Sequence, residues 1–232
     1  MPVAAQDEAL PAPEAIDLEA ADGTVLKGDF YQPESIPEGG APALLLMHQY
    51  QSNRSSYKSV IPDFLAAGYV VLTVDLRGHG QTGGRNDWVA AQTDTQSWLA
   101  WLREQEGVNP KKVAIIGASI GSNLALVGCA QDPDCVTAIA LSPGLDYFGV
   151  KPQDFVVNDL ATRSALLIAG SRDRESADAI RSMFVVARGR LAAEMFPTSL
   201  HGTAFFSNDR DRGVTLSIIL AWLEEAFSGV KE

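Results

Sequence analysis

Ser119 lies at the centre of the pentapeptide GASIG (117–121), after the apolar run VAIIG and before the helix-spaced segment SNLAL. Flanking glycines let a strand turn sharply into a helix, where a Cβ would drive backbone segments together. The central residue is then held in a strained conformation with its side chain over the sheet. A packing bend built from small residues is the alternative use of the same pattern. A dinucleotide-binding Gly-x-Gly-x-x-Gly is excluded, because Ser119 stands where its second glycine belongs. A serine hydroxyl attacks poorly at its free pKa and needs a general base, usually histidine, oriented by a carboxylate. Of the three histidines, only His201 in PTSLHGTAF lies C-terminal to Ser119, whereas His48 and His79 lie on earlier loops. Asp173 in ALLIAGSRDRES is the favoured carboxylate, with Asp146 and Glu175 as rivals. The order Ser119, Asp173, His201 is the one a strand–turn–helix nucleophile requires.

These residues need a scaffold that puts them at one edge. Short apolar runs recur along the chain: ALLLMH (43–48), YVVLTVD (69–75), KVAIIGAS (112–119), VTAIALS (136–142), ALLIAG (165–170) and LAAEMF (191–196). Runs of this length, nearly all apolar and bounded by Gly, Pro or polar turns, predict strands buried on both faces of a parallel sheet. Helical spacing appears between them in SVIPDFLAAG, TDTQSWLAWLREQ, SNLALVGCA, SADAIRSMFVVAR and GVTLSIILAWLEEAF. Before them, AIDLEAADGTVLKGDFYQP predicts two strands turning at Asp22-Gly23. The alternation implies right-handed crossovers and a single three-layer α/β domain over 16–232, with the ligand crevice at the carboxyl ends of the strands.

Composition sets limits on function. The formal charge of -11 repels phosphate backbones and anionic lipid surfaces, so nucleic acid is not expected as a partner. No apolar stretch approaches the ~18 residues of a membrane span, and membrane insertion is not expected. Residues 1–15 (MPVAAQDEALPAPEA) read as a flexible leader, rich in Ala, Pro and acids. The leader lacks the basic start and apolar centre of a signal peptide. It is compatible with the remnant of a removed one in an exported protein, periplasmic or secreted, and equally with a cytosolic tail. Cys129 and Cys135 flank the turn-forming AQDPD. A disulfide there would contribute about 2.4 kcal/mol on loop length alone, two free thiols being the alternative. No further Cys or His stands near them to complete a metal site, and no metal or organic cofactor is expected.

Taken in order, LLLMHQY, DLRGHGQT, GASIG, IAGSRD and LHG resemble the motif series of the α/β-hydrolase superfamily from about Leu18 to Phe227. Within it the chain is most similar to compact lidless esterases and dienelactone-hydrolase-like proteins. The resemblance implies a mostly parallel central sheet with an antiparallel N-terminal hairpin, helices on both faces and no large lid. It also implies an oxyanion hole built from the backbone N–H groups of Ile120 and Tyr50. Gln49 replaces the glycine of the family's His-Gly-aromatic pattern, so Gln49 is itself a candidate donor and, with Tyr50, a candidate substrate-binding residue. Tyr50 either lines the acyl pocket or only packs on its loop. Asp75, Arg77 and His79 of DLRGHGQT are expected to shape a turn.

The expected activity is that of a carboxylic ester hydrolase acting on small soluble esters through an acyl-enzyme on Ser119. The same scaffold hosts peptidases, thioesterases and acyltransferases, and a non-catalytic binding protein is a third reading. The stretch from Pro143 to Arg163, with its two prolines, is too short for a helical cap domain.

Overall fold

Strand β3 (Ala41–Met47) shows how one sheet divides the core. Side chains alternate across a strand. Leu45 and Met47 join one buried cluster, whereas Leu44 and Leu46 join the other. A strand apolar at every position must be covered on both sides, which is why helices pack on both faces. The computed structural model describes residues 10–158 and 163–230.

Among these residues the sheet has eight strands. They are β1 (Glu14–Glu19), β2 (Val25–Tyr31), β3, β4 (Val70–Asp75), β5 (Val108–Ala118), β6 (Cys135–Leu141), β7 (Ser164–Gly170) and β8 (Arg190–Phe196). Their spatial order is β1-β2-β4-β3-β5-β6-β7-β8. β1 and β2 form an antiparallel hairpin that joins β4 antiparallel, and all remaining pairings are parallel. Residues 1–9 of the expected leader lie outside the described residues. Glu14 and Ala15 already belong to β1, ahead of the expected start at residue 16.

The helices are α1 (Ile61–Ala66), α2 (Trp88–Arg103), α3 (Ile120–Gln131), α4 (Pro152–Asn158), α5 (Arg174–Val186) and α6 (Asp209–Ser228). α2, α3 and α5 share the cluster of Leu45 and Met47; α1 and α6 share that of Leu44 and Leu46. α2 begins earlier than the periodicity predicts, because Asp87 caps it by accepting from the Ala90 N–H at 2.9 Å. α6 is extended the same way by Asn208, which accepts from the Asp211 N–H at 3.0 Å. α4 has no counterpart in the sequence reading: one turn-rich segment conceals a two-turn helix begun by Pro152. It is the only helix among the described residues of the β6–β7 connection. No helix among the described residues is long and apolar enough to cross a membrane.

α3 is buried along almost its whole length, which explains its composition of small and apolar residues. Its far end is tied to the start of β6 by a disulfide between Cys129 and Cys135. Alkylation of the folded protein without reductant should therefore add nothing to its intact mass. The double variant Cys129→Ala, Cys135→Ser should lose about 2 kcal/mol in urea unfolding, from the loop-closure entropy returned to the unfolded chain. Two alkyl additions to unreduced protein would contradict the bridge.

Candidate active site

β5 ends at Ala118, and α3 begins at Ile120. The single residue between them, Ser119, has φ 53° and ψ -120°, a conformation costing on the order of 1–3 kcal/mol for a residue with a side chain. The two glycines make it attainable. A Cβ on Gly117 would lie 1.9 Å from the Gly121 carbonyl oxygen, and one on Gly121 would lie 2.4 Å from that of Met47. Any side chain at either position would push α3 off the sheet. The turn is further held by the Ser119 N–H, which donates to Leu141 O at 2.8 Å.

Three loops at the carboxyl edge converge on this serine. The Ser119 hydroxyl meets His201 Nε2 at 2.8 Å, and His201 Nδ1 meets Asp173 Oδ2 at 2.7 Å. The contact to a carboxylate favours the tautomer with the proton on Nδ1, which leaves Nε2 free to accept a hydrogen bond from the Ser119 hydroxyl. Asp173 sits between β7 and α5, and His201 follows β8. Their loops are stitched together: Ser171 N–H donates to Phe196 O at 2.7 Å and Arg172 N–H to Thr198 O at 2.9 Å. The His201 side chain is 41% exposed and that of Asp173 12%, so the imidazole faces the crevice and the carboxylate behind it is sheltered. The rival carboxylates are placed elsewhere. Asp146 accepts from the Gly149 N–H at 2.7 Å and pairs with Lys151, and Glu175 lies exposed in the first turn of α5.

The loop after β3 completes the crevice. Ile120 is the first residue of α3, so its N–H has no intrahelical acceptor and remains available beside Ser119. Tyr50 lies 39% exposed on the opposite loop, its ring 5.0 Å from that of Phe148 and 5.5 Å from that of His79. The Gln49 amide oxygen accepts from Thr203 N–H at 3.1 Å and from Thr203 Oγ1 at 2.8 Å. In place of the family glycine, Gln49 thus clamps the segment that carries His201.

His48 and the DLRGHGQT turn support this loop from below. Fully buried, His48 accepts from the Leu76 N–H through Nε2 at 3.0 Å and donates from Nδ1 to Gln49 O at 2.7 Å. Burial lowers its pKa to about 4, so it is neutral near pH 7. Asp75 accepts from the backbone N–H groups of Arg54 and Gln81 at 2.8 and 2.7 Å and pairs with the Arg54 guanidinium. Arg77 bridges Asp94 of α2 to Asp22 in the β1–β2 turn, and these carboxylates raise its pKa further. His79 Nδ1 contacts the Arg77 carbonyl at 2.8 Å.

Several residues at the crevice escaped sequence reasoning. The Tyr147 hydroxyl lies 3.5 Å from both Ser142 O and Ser176 Oγ and also interacts with Ser119; burial raises its pKa. Ser142 Oγ accepts from the Gly202 N–H at 3.0 Å, holding the residue next to His201. Asn123 fastens the loop after β6, donating to Val150 O at 2.8 Å and accepting from Gly144 N–H at 3.0 Å. The available signal was two adjacent aromatics, Tyr147 and Phe148, inside a turn bounded by Gly144 and Gly149.

The sheet order and the strand–serine–helix turn define an α/β-hydrolase. Residues 22–203 match the family model for X-Pro dipeptidyl-peptidase (S15 family), and the chain belongs to that family. An uncharacterized protein of Mycobacterium tuberculosis is 30% identical over 132 residues, 57% of this chain and 46% of the relative. The chain thus spans about half the length of the curated relatives it matches. Among solved structures, an acetyl xylan esterase from Paenibacillus superposes with a TM-score of 0.78 at 16% identity, over 95% of this chain and 86% of the other. An esterase of Pyrococcus furiosus gives 0.75 at 16%, over 93% and 90%. These likenesses establish the α/β-hydrolase fold.

The buried His48 makes stability depend on pH. Its folded pKa of about 4 lies below the ordinary 6.5, so between those values the unfolded state binds more protons. The contribution is complete above pH 6.5 and is lost as pH falls towards 4, in total on the order of 3 kcal/mol. Urea unfolding at pH 7 and pH 4.5 should show this loss, and His48→Asn should flatten it. An unchanged slope in the variant would remove His48 from the account.

Proposed function

We propose that the protein hydrolyses carboxylic esters through a covalent acyl-enzyme on Ser119. The observation carrying this reading is the line Ser119–His201–Asp173, joined by contacts of 2.8 and 2.7 Å. His201 Nε2 takes the serine proton as Oγ attacks the ester carbonyl. The oxyanion that forms is met by the N–H groups of Ile120 and Tyr50. The imidazolium, steadied by the Asp173 carboxylate, gives its proton to the departing alcohol and the C–O bond breaks. A water molecule then attacks the acyl-enzyme with His201 again as base, releasing the acid and restoring Ser119. The exposed His201 edge favours small soluble esters over long lipids.

Peptide hydrolysis is the second reading, favoured by the description of the family, X-Pro dipeptidyl-peptidase. It uses the same groups, with an amine as leaving group. Parallel assays on a p-nitrophenyl ester and an X-Pro anilide separate the two.

A fluorophosphonate should label the protein at Ser119 and abolish turnover. Ser119→Ala should lower kcat by roughly 10⁴-fold or more without unfolding the chain. Near-wild-type rates in that variant would overturn the nucleophile.

Asp173→Asn keeps the shape of the carboxylate but removes the charge facing His201, and should lower kcat by up to roughly 10⁴-fold. Asp146→Asn should have a mild effect. The reverse ranking on one ester, with both variants folded by circular dichroism, would reassign the orienting group.

A further inference from the structure

The rings of Tyr50, Trp88 and Phe148 form an aromatic group on the crevice rim, and neither the acid–base line nor the oxyanion hole uses these side chains. Trp88 and Phe148 are stacked, with ring centroids 5.2 Å apart and planes 15° apart. Tyr50 lies 5.0 Å from Phe148 and 6.2 Å from Trp88. Two of its members are next in sequence to residues that reach the site. Tyr50 follows the Gln49 that holds the His201 segment, and Phe148 follows Tyr147, whose hydroxyl interacts with Ser119. Trp88 packs on the core below, but Phe148 is 55% exposed and Tyr50 39%.

The backbone under Phe148 gives this exposure a meaning. Tyr147 and Val150 exchange backbone hydrogen bonds at 3.3 and 2.9 Å, closing a two-residue turn. Its central residues, Phe148 and Gly149, have φ of 54° and 88°. Two positive φ values in such a turn mark the type that favours Asn or Gly at its first central position, and a bulky ring is disfavoured there. The chain accepts that strain and still leaves the ring more than half in water. Neither turn formation nor core burial accounts for a phenylalanine at this position. The loop is also anchored by Asn123, so the ring is presented from a fixed support.

We propose that Phe148, Trp88 and Tyr50 form a stacking subsite for a planar, uncharged ring of the substrate, placed so that the ring lies against Phe148 while the scissile carbonyl meets Ser119. The subsite takes its position from the ester-hydrolase reading and narrows the substrate class to esters with a ring in the acyl or alcohol part. Flat rings gain from offset or edge contacts with aromatic side chains beyond what an alkyl chain of similar area gains.

The test is equilibrium binding to the Ser119→Ala chain, which takes turnover out of the measurement. The probes are 2-naphthyl acetate and hexyl acetate. Phe148→Asn, a residue suited to the turn, should lower the naphthyl-over-hexyl affinity ratio roughly 3- to 10-fold. Its thermal midpoint should not fall. Phe148→Tyr should keep the ratio. An unchanged ratio in Phe148→Asn would overturn the subsite, and a lowered midpoint alongside it would assign the ring to packing. A dimer that Phe148→Asn dissociates would assign the rings to a second copy of the chain and equally overturn the proposal. If the wild-type chain cleaves no ester, the proposed function fails, and the binding ratio still decides the subsite on its own.

Discussion

The architecture depends on one close approach of backbone to backbone. Gly121 rests against the carbonyl oxygens of Met47 and His48, and Gly117 against that of Gly121. Met47 and Gly117 are also register partners at the adjoining ends of β3 and β5. The turn, the start of α3 and the end of β3 are therefore packed with no room for a Cβ between them. That crowding forces Ser119 into a positive φ and puts its hydroxyl above the sheet edge, within 2.8 Å of His201. The strain is sustained because the buried sheet and α3 over-determine it.

Around this point the protein keeps two kinds of polar group apart. Below the edge, His48, Asp75 and Arg77 are buried and fully engaged in fixing loops, each with named partners. At the edge, Ser119 and His201 are partly exposed and engaged mainly with each other and with Asp173. Two histidines thus have opposite uses. Burial depresses the pKa of His48 and locks its tautomer between Leu76 and Gln49, whereas His201 keeps an edge in the crevice. For His48 the largest cause is lost solvent, since an imidazole without water loses the stabilisation of its charged form.

The loops that carry these groups are connected to one another rather than to solvent. Gln49 reaches Thr203, Ser142 reaches Gly202, and Asn123 holds both ends of the loop that bears Tyr147 and Phe148. Each of these contacts lies at the carboxyl ends of parallel strands, where the crossover connections leave their loops side by side. A fixed arrangement of this kind lowers the cost of ordering the crevice around a bound molecule.

Much of the fold is legible in residue order. Short apolar runs such as ALLLM and ALLIAG, bounded by turn residues, read as strands buried on both faces, and GASIG between a strand and a helix reads as a sharp turn centred on Ser119. The sequence by itself therefore determined the layered sheet and singled out Ser119, with His201 and Asp173 as its favoured partners. The tertiary structure placed Asp173, rather than Asp146 or Glu175, against the imidazole. It also decided that Gln49 turns its amide to Thr203, that a short helix starts at Pro152, and that the Tyr147 hydroxyl meets Ser119. These are contacts between residues far apart in the chain, or helices set by a cap rather than by periodicity. Local patterning records which face of an element is apolar; which side chains meet across the strand ends depends on how the loops pack once the sheet has closed.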